Sequence, residues 1–124
     1  MITQLSGEVL DALDEKVGKY LAISRNCAQT SFLTLKELFE LDDGTILKAL
    51  TPFPGIALRG ETCGAVIGSL MAIGLVFGRE ELDDREAYLA SITPARQFCH
   101  RFEKALGSTM CGDILESEFG TRYD

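Results

Sequence analysis

Fifteen residues from Gly64 to Gly78, G-A-V-I-G-S-L-M-A-I-G-L-V-F-G, contain a single polar side chain, Ser69. A helix needs about 20 apolar residues to cross a bilayer, so this stretch is too short to span one and reads as a helix buried in a protein core. A helix that is apolar nearly all round must be covered on several sides. The rest of the chain therefore has to supply the covering layers. With 124 residues, 46% of them hydrophobic, it has enough apolar material for one continuous core. No linker or repeat divides it. The expectation is a single domain over residues 1–124, an all-α helical bundle of about five to six helices around a central apolar helix at 62–78.

The covering segments carry helical periodicity. From Glu8 to Leu21 the residues Val9, Leu10, Leu13, Val17, Tyr20 and Leu21 recur at helical spacing, with charged residues opposite them. Asn26 is a good N-cap for a second helix with the stripe Ala28, Phe32, Leu35 and Phe39, which Asp42-Asp43-Gly44 then ends. Thr45–Leu50 reads as a short helix, stopped by the prolines of Thr51-Pro-Phe-Pro-Gly55 and followed by a loop through Gly60. Thr62 is placed to cap the apolar helix. After Gly78 a polar segment opens a helix through Ile92, and Thr93-Pro94 reads as a fresh start for another that runs to about Leu106 and stops at Gly107. Ser108 or Thr109 caps a last short helix holding Cys111, Ile114, Leu115 and Phe119. No stretch alternates in the manner of a strand.

Charge narrows the function. Lys and Arg total 12 against 19 Asp and Glu, and no window combines basic and aromatic residues to track a phosphate backbone, so nucleic acid and anionic membranes are poor partners. The opening residues M-I-T-Q-L-S-G-E-V-L-D lack a basic segment followed by an apolar block, so no secretory signal is read and a cytoplasmic location is expected. A reducing compartment disfavours permanent disulfides, which leaves catalytic, redox or metal roles for the four cysteines.

Cys27, Cys63 and Cys111 fall in expected first turns of helices, where unpaired N–H groups and the positive helix end stabilise a thiolate. They are candidate nucleophiles or metal ligands. Arg25 and Arg59 lie near in sequence and assist, whereas Glu61 opposes a thiolate at Cys63. Cys99 sits mid-helix beside Phe98 and Phe102 and should be the most buried of the four, and its spacing permits an approach to Cys111. No pair shows the C-x-x-C spacing of thioredoxin-like or zinc-ribbon motifs, and Arg96 removes the C-x-x-C-H pattern of haem attachment at Cys99-His100. His100 is read as facing solvent. Four dispersed cysteines can instead converge on an iron–sulfur cluster or another soft metal, with Cys27, Cys63, Cys99 and Cys111 as ligands. Gly64, Gly68 and Ala72 are spaced four apart and form a groove of small residues. Gly64 and Gly68 are thus candidate cofactor-contacting positions, and the same face is a candidate homo-oligomer contact. Asp42-Asp43 and Asp83-Asp84 read as turn or capping residues.

At N-C-A-Q (26–29), G-E-T-C-G-A-V-I-G (60–68), F-C (98–99) and C-G-D-I-L (111–115) the sequence resembles the C_GCAxxG_C_C family. These small bacterial and archaeal proteins are described as redox-active and are defined by four cysteines around a C-G-A-x-x-G motif. The resemblance runs from about Cys27 to Leu115 and sets Cys27, Cys63, Cys99 and Cys111 at the family's four cysteine positions. It implies redox or metal chemistry with a partner protein or small electron carrier, and no defined reaction.

Three readings follow. The first is a redox-active thiol protein, a thiol-based oxidoreductase in outline, in which Cys63 attacks or is oxidised and another cysteine resolves the product as a disulfide. The second is an electron carrier with four cysteine ligands to an iron–sulfur cluster or soft metal. The third is a helical interaction module with structural cysteines.

Overall fold

The computed structural model describes residues 6–41 and 44–120. Its elements are α1 (Gly7–Ser24), α2 (Cys27–Leu38), α3 (Gly44–Ala49), α4 (Gly55–Leu58), α5 (Gly64–Phe77), α6 (Arg85–Leu106) and α7 (Cys111–Phe119). The described residues are all-α; their one β feature is an isolated antiparallel bridge between Thr62 and Met110. None of these helices is long and apolar enough to cross a membrane. Asp42 and Asp43, read with Gly44 as the stop of the second helix, lie outside the described residues.

The apolar helix α5 packs chiefly on α2, and glycine makes the contact possible. A Cβ built on Gly68 would lie 3.1 Å from the Phe32 nitrogen and 3.2 Å from the Ala28 carbonyl carbon, with the Ala28 oxygen closer still. The two backbones therefore touch where a side chain would hold them apart. Ala28, Phe32, Leu50 and Ala72 form the buried cluster, with Leu35, Leu41, Ile46, Leu47, Phe53 and Ile67 packed around it. Burying a side chain as large as Phe32 or Leu50 contributes about 1.5–3 kcal/mol. The Gly64/Gly68/Ala72 groove is consequently filled by α2 of the same chain. This corrects the expected homo-oligomer contact, because the face is already occupied.

Outer helices cover the pair on two sides. α1 lies on α2, where Tyr20 donates to the Glu37 carboxylate and Lys16 pairs with it at 3.3 Å. α6 lies on α5 and begins at Asp84, whose carboxylate accepts from the Ala87 N–H at 3.0 Å, the expected capping role.

Two local readings need correction. Thr93-Pro94 does not start a helix, since α6 runs through Pro94 without interruption. Ala87, Ser91, Ile92, Ala95, Phe98, Cys99 and Phe102 all lie half-buried on one face, and this shared packing outweighs the roughly 3 kcal/mol that an interior proline costs. Among the described residues the helices number seven, against the about five to six expected, and the segment after Thr51-Pro-Phe-Pro, read as loop, coils into α4. That single turn is left-handed: Gly55, Ile56, Ala57 and Leu58 have φ of 59°, 51°, 61° and 60°. A left-handed turn costs L-residues other than glycine roughly 1–2 kcal/mol each. Backbone bonds from Ala57 to Pro52 (2.8 Å), Leu58 to Pro54 (2.9 Å) and Arg59 to Gly55 (3.0 Å) hold it.

Candidate functional site

Three of the four cysteines meet where α2, α5 and α7 begin. Asn26 sets the first of them. Its extended backbone (φ −139°, ψ 105°) brings its side chain to accept from the Gln29 N–H, while its own amide donates to the Thr51 carbonyl, each at 2.9 Å. Cys27 is thereby fixed as the first residue of α2. Cys63 is itself the N-cap of α5 (φ −60°, ψ 134°), one position from the Thr62 cap expected. The chain enters this helix from an extended bridge rather than from a polar cap.

Short antiparallel pairing fixes the third cysteine relative to the second. The Cys63 N–H donates to the Thr109 carbonyl at 2.7 Å, the Cys111 N–H to the Glu61 carbonyl at 2.6 Å, and the Gly112 N–H to the Gly60 carbonyl at 2.9 Å. Residues 60–63 and 109–112 thus deliver Cys63 and Cys111 to neighbouring positions. Met110 occupies the cap position of α7, and the expected cap Ser108 instead accepts from the Met110 N–H at 2.9 Å and donates to Asp113 at 3.0 Å.

Gly64 seats Cys27 against Cys63. A Cβ at Gly64 would fall 2.8 Å from the Ala28 nitrogen and would overlap the Cys27 sulfur. The Cys27 thiol hydrogen-bonds the Cys63 sulfur. Accepting that bond is the largest cause that lowers the Cys63 pKa to about 6; burial opposes it, and the N–H groups of Ala65 and Val66 add to it without a fully formed cap bond. The same bond, followed by burial and the Cys63 charge, pushes the Cys27 thiol far above its ordinary value, against a lowering from the Gly64 N–H. The pair therefore shares one proton, with the negative charge on Cys63. Burial first, and the Cys63 charge second, raise the Cys111 thiol.

Cys99 stands apart. It lines a cavity of about 410 Å³ with Thr62, Val66, Leu70 and Glu103, whereas Cys27 and Cys111 line another of about 390 Å³ with Arg25, Gly55 and Leu58. It is half-buried like the other three, not the most buried, because α6 is an outer helix with no fully buried residue. His100 is exposed, as expected. Gly64 and Gly68 serve the α2–α5 contact.

A four-thiolate iron–sulfur site needs all four to face one point, and Cys99 faces a different cavity. Among the described residues no three His, Cys, Asp or Glu side chains are grouped to hold a metal ion. The four cysteines as placed do not fit such a centre.

Sequence reading missed the α4 turn as a wall of the cysteine cavity and the backbone of Gly60, Glu61 and Thr109 as its clasp. The Pro-Phe-Pro-Gly string signals a turn but not its hand, and backbone pairing across about 50 residues leaves no local mark.

A family model described as "Putative redox-active protein (C_GCAxxG_C_C)" matches residues 25–124. Searches of curated proteins and of solved structures gave no match.

Proposed function

The chain belongs to the C_GCAxxG_C_C family, and from that premise we propose that Cys27 and Cys63 are a thiol–disulfide redox pair serving a partner disulfide. The observation that carries this reading is the hydrogen bond between the two sulfurs at the start of α5. A thiolate is the attacking species in exchange, and a thiol whose pKa lies near ambient pH combines ionisation with nucleophilicity. Cys63, near 6, meets that condition.

The Cys63 thiolate attacks one sulfur of an acceptor disulfide, RS–SR. A Cys63–SR bond forms, the RS–SR bond breaks and RS⁻ leaves. This step removes the largest cause that raised Cys27, its hydrogen bond to Cys63, and the neighbouring Cys63 charge with it, leaving burial. Cys27 then attacks the Cys63 sulfur, releasing the second RS group and giving its proton to one of the two. The sum is RS–SR + Cys27–SH + Cys63–S⁻ → Cys27–Cys63 disulfide + RSH + RS⁻, with two electrons passed to the acceptor. Run backwards, the oxidised pair accepts two electrons from a dithiol or two thiols. Cys111, kept protonated by burial and the adjacent charge, does not compete for the first step.

The test is to treat the reduced protein anaerobically with 2-hydroxyethyl disulfide, alkylate the remaining thiols and map peptides by mass spectrometry. A Cys27–Cys63 link with Cys99 and Cys111 alkylated is expected. A link through Cys99, or four alkylated thiols after exposure to excess disulfide, would overturn the assignment.

A further inference from the structure

The cavity of about 390 Å³ that Cys27 and Cys111 line has a second feature: the exposed Arg25 also lines it. Arg25 is the C-cap of α1, in left-handed conformation (φ 52°, ψ 34°), with its N–H donated to the Leu21 carbonyl. Among the described residues no hydrogen bond or ion pair engages its guanidinium. In a chain of net charge −7, an unpaired arginine is thus placed on the wall that carries two thiols. The remaining wall is apolar, with Leu21, Pro54, Leu58 and Leu115. The volume falls in the range of small-molecule sites and is too small for a folded partner.

We propose that this cavity takes a low-molecular-weight disulfide bearing a carboxylate, with Arg25 pairing with the carboxylate and the apolar wall covering the carbon chain. The proposal rests on the thiol–disulfide reading above. Arginine suits this role because its planar guanidinium binds a carboxylate through two parallel hydrogen bonds. Held by that end, the disulfide lies along the wall of Cys27 and Cys111, and Cys63, which does not itself line the cavity, is reached beside its hydrogen-bond partner Cys27. The exchange balances as written above, RS now being a carboxylate-bearing thiolate. In the reverse direction the same pocket receives the carboxylate-bearing thiol.

Three disulfides of similar length separate charge from sulfur chemistry: 3,3′-dithiodipropionate (anionic), 2-hydroxyethyl disulfide (neutral) and cystamine (cationic). Their rates of oxidising the reduced protein are measured against their rates with free 2-mercaptoethanol, which corrects for intrinsic reactivity. At low ionic strength the anionic compound is expected to gain about ten-fold over the neutral one, and the cationic one to lose, as one charge pair at a partly screened site allows. Arg25→Gln should bring the anionic-to-neutral ratio down to that of the free thiol, and Arg25→Lys should restore part of it. An unchanged ratio in Arg25→Gln, or equal corrected rates for all three compounds in the wild type, would overturn the proposal. The thioether 3,3′-thiodipropionate cannot exchange, so its binding, followed by calorimetry, reports the pocket alone. Arg25-dependent binding of the thioether without disulfide formation at Cys27–Cys63 would refute the redox reading and leave the carboxylate site standing; no binding of the thioether would sink the site.

Discussion

Gly68→Ala tests the α2–α5 contact on which the thiol pair depends. The added methyl meets the Ala28 carbonyl oxygen, with the Phe32 nitrogen at 3.1 Å and the Ala28 carbonyl carbon at 3.2 Å. All three are backbone atoms, so no side-chain rotation relieves the overlap and the helices must separate. Alanine improves helix propensity over glycine by about 0.5–1 kcal/mol, while overpacking costs about 1–3 kcal/mol and belongs at the upper end here. The net loss is about 2 kcal/mol, or a fall in Tm of roughly 8 °C for a chain of this size. Gly74→Ala is the control: it lies in the same helix and its Cβ meets nothing within 4 Å, so Tm should rise by roughly 2–4 °C. Thermal unfolding of both reduced variants, followed by circular dichroism, reads the difference. The Gly68 variant should also show a higher Cys63 pKa by thiolate absorbance, because separating the helices draws Cys27 from Cys63. Equal stability of the two variants would refute the close approach of α2 and α5.

Further outcomes follow from the same geometry. Cys27→Ala removes the first cause of the low Cys63 pKa, and alkylation of Cys63 at pH 7 should slow by about an order of magnitude as its thiolate fraction falls. Stability of the reduced protein should depend on pH through the pair. Cys63, lowered to about 6 from 9.0, contributes stability that is present above pH 9.0 and lost as pH falls through about 6; Cys27, raised, contributes below 9.0 and loses that contribution as pH rises beyond it. The urea midpoint of wild type relative to Cys63→Ala should therefore climb from pH 6 to pH 9, and a flat difference would contradict the charge assignment. Asn26→Ala should cost about 2 kcal/mol by chemical denaturation, since it deletes both the α2 cap and the bond to the Thr51 carbonyl.

The sequence carried the elements whose signals are local. Periodicity located α1, α2 and α5, Asn26 announced its own cap, and the glycine–alanine spacing marked a face of close approach. That face turned inward because α2 offers Ala28 opposite Gly68, a match between residues 40 positions apart that no window contains. Thr93-Pro94 misled for a related reason: a strong local start signal lost to a packed face that continues on both sides of it. For the cysteines, helix starts were readable at Cys27, Cys63 and Cys111, yet their meeting depends on the pairing of residues 60–63 with 109–112. Cys99 shares the family spacing but lies on α6, where the helix's rotation turns it toward Thr62 and Val66 instead.

The left-handed turn at Gly55–Leu58 makes one wall of the cysteine cavity out of residues with the wrong chirality for it. Its geometry is the natural one for mirror-image amino acids. A semisynthetic chain carrying D-alanine at position 57 would relax the backbone there, whereas D-alanine at an ordinary α5 position would break the helix. Beyond its own backbone bonds, the wall is tied down where Glu61 donates to Gly55 and Gly112 donates to Gly60, so α7, at the far end of the chain, helps to set the contour of the pocket.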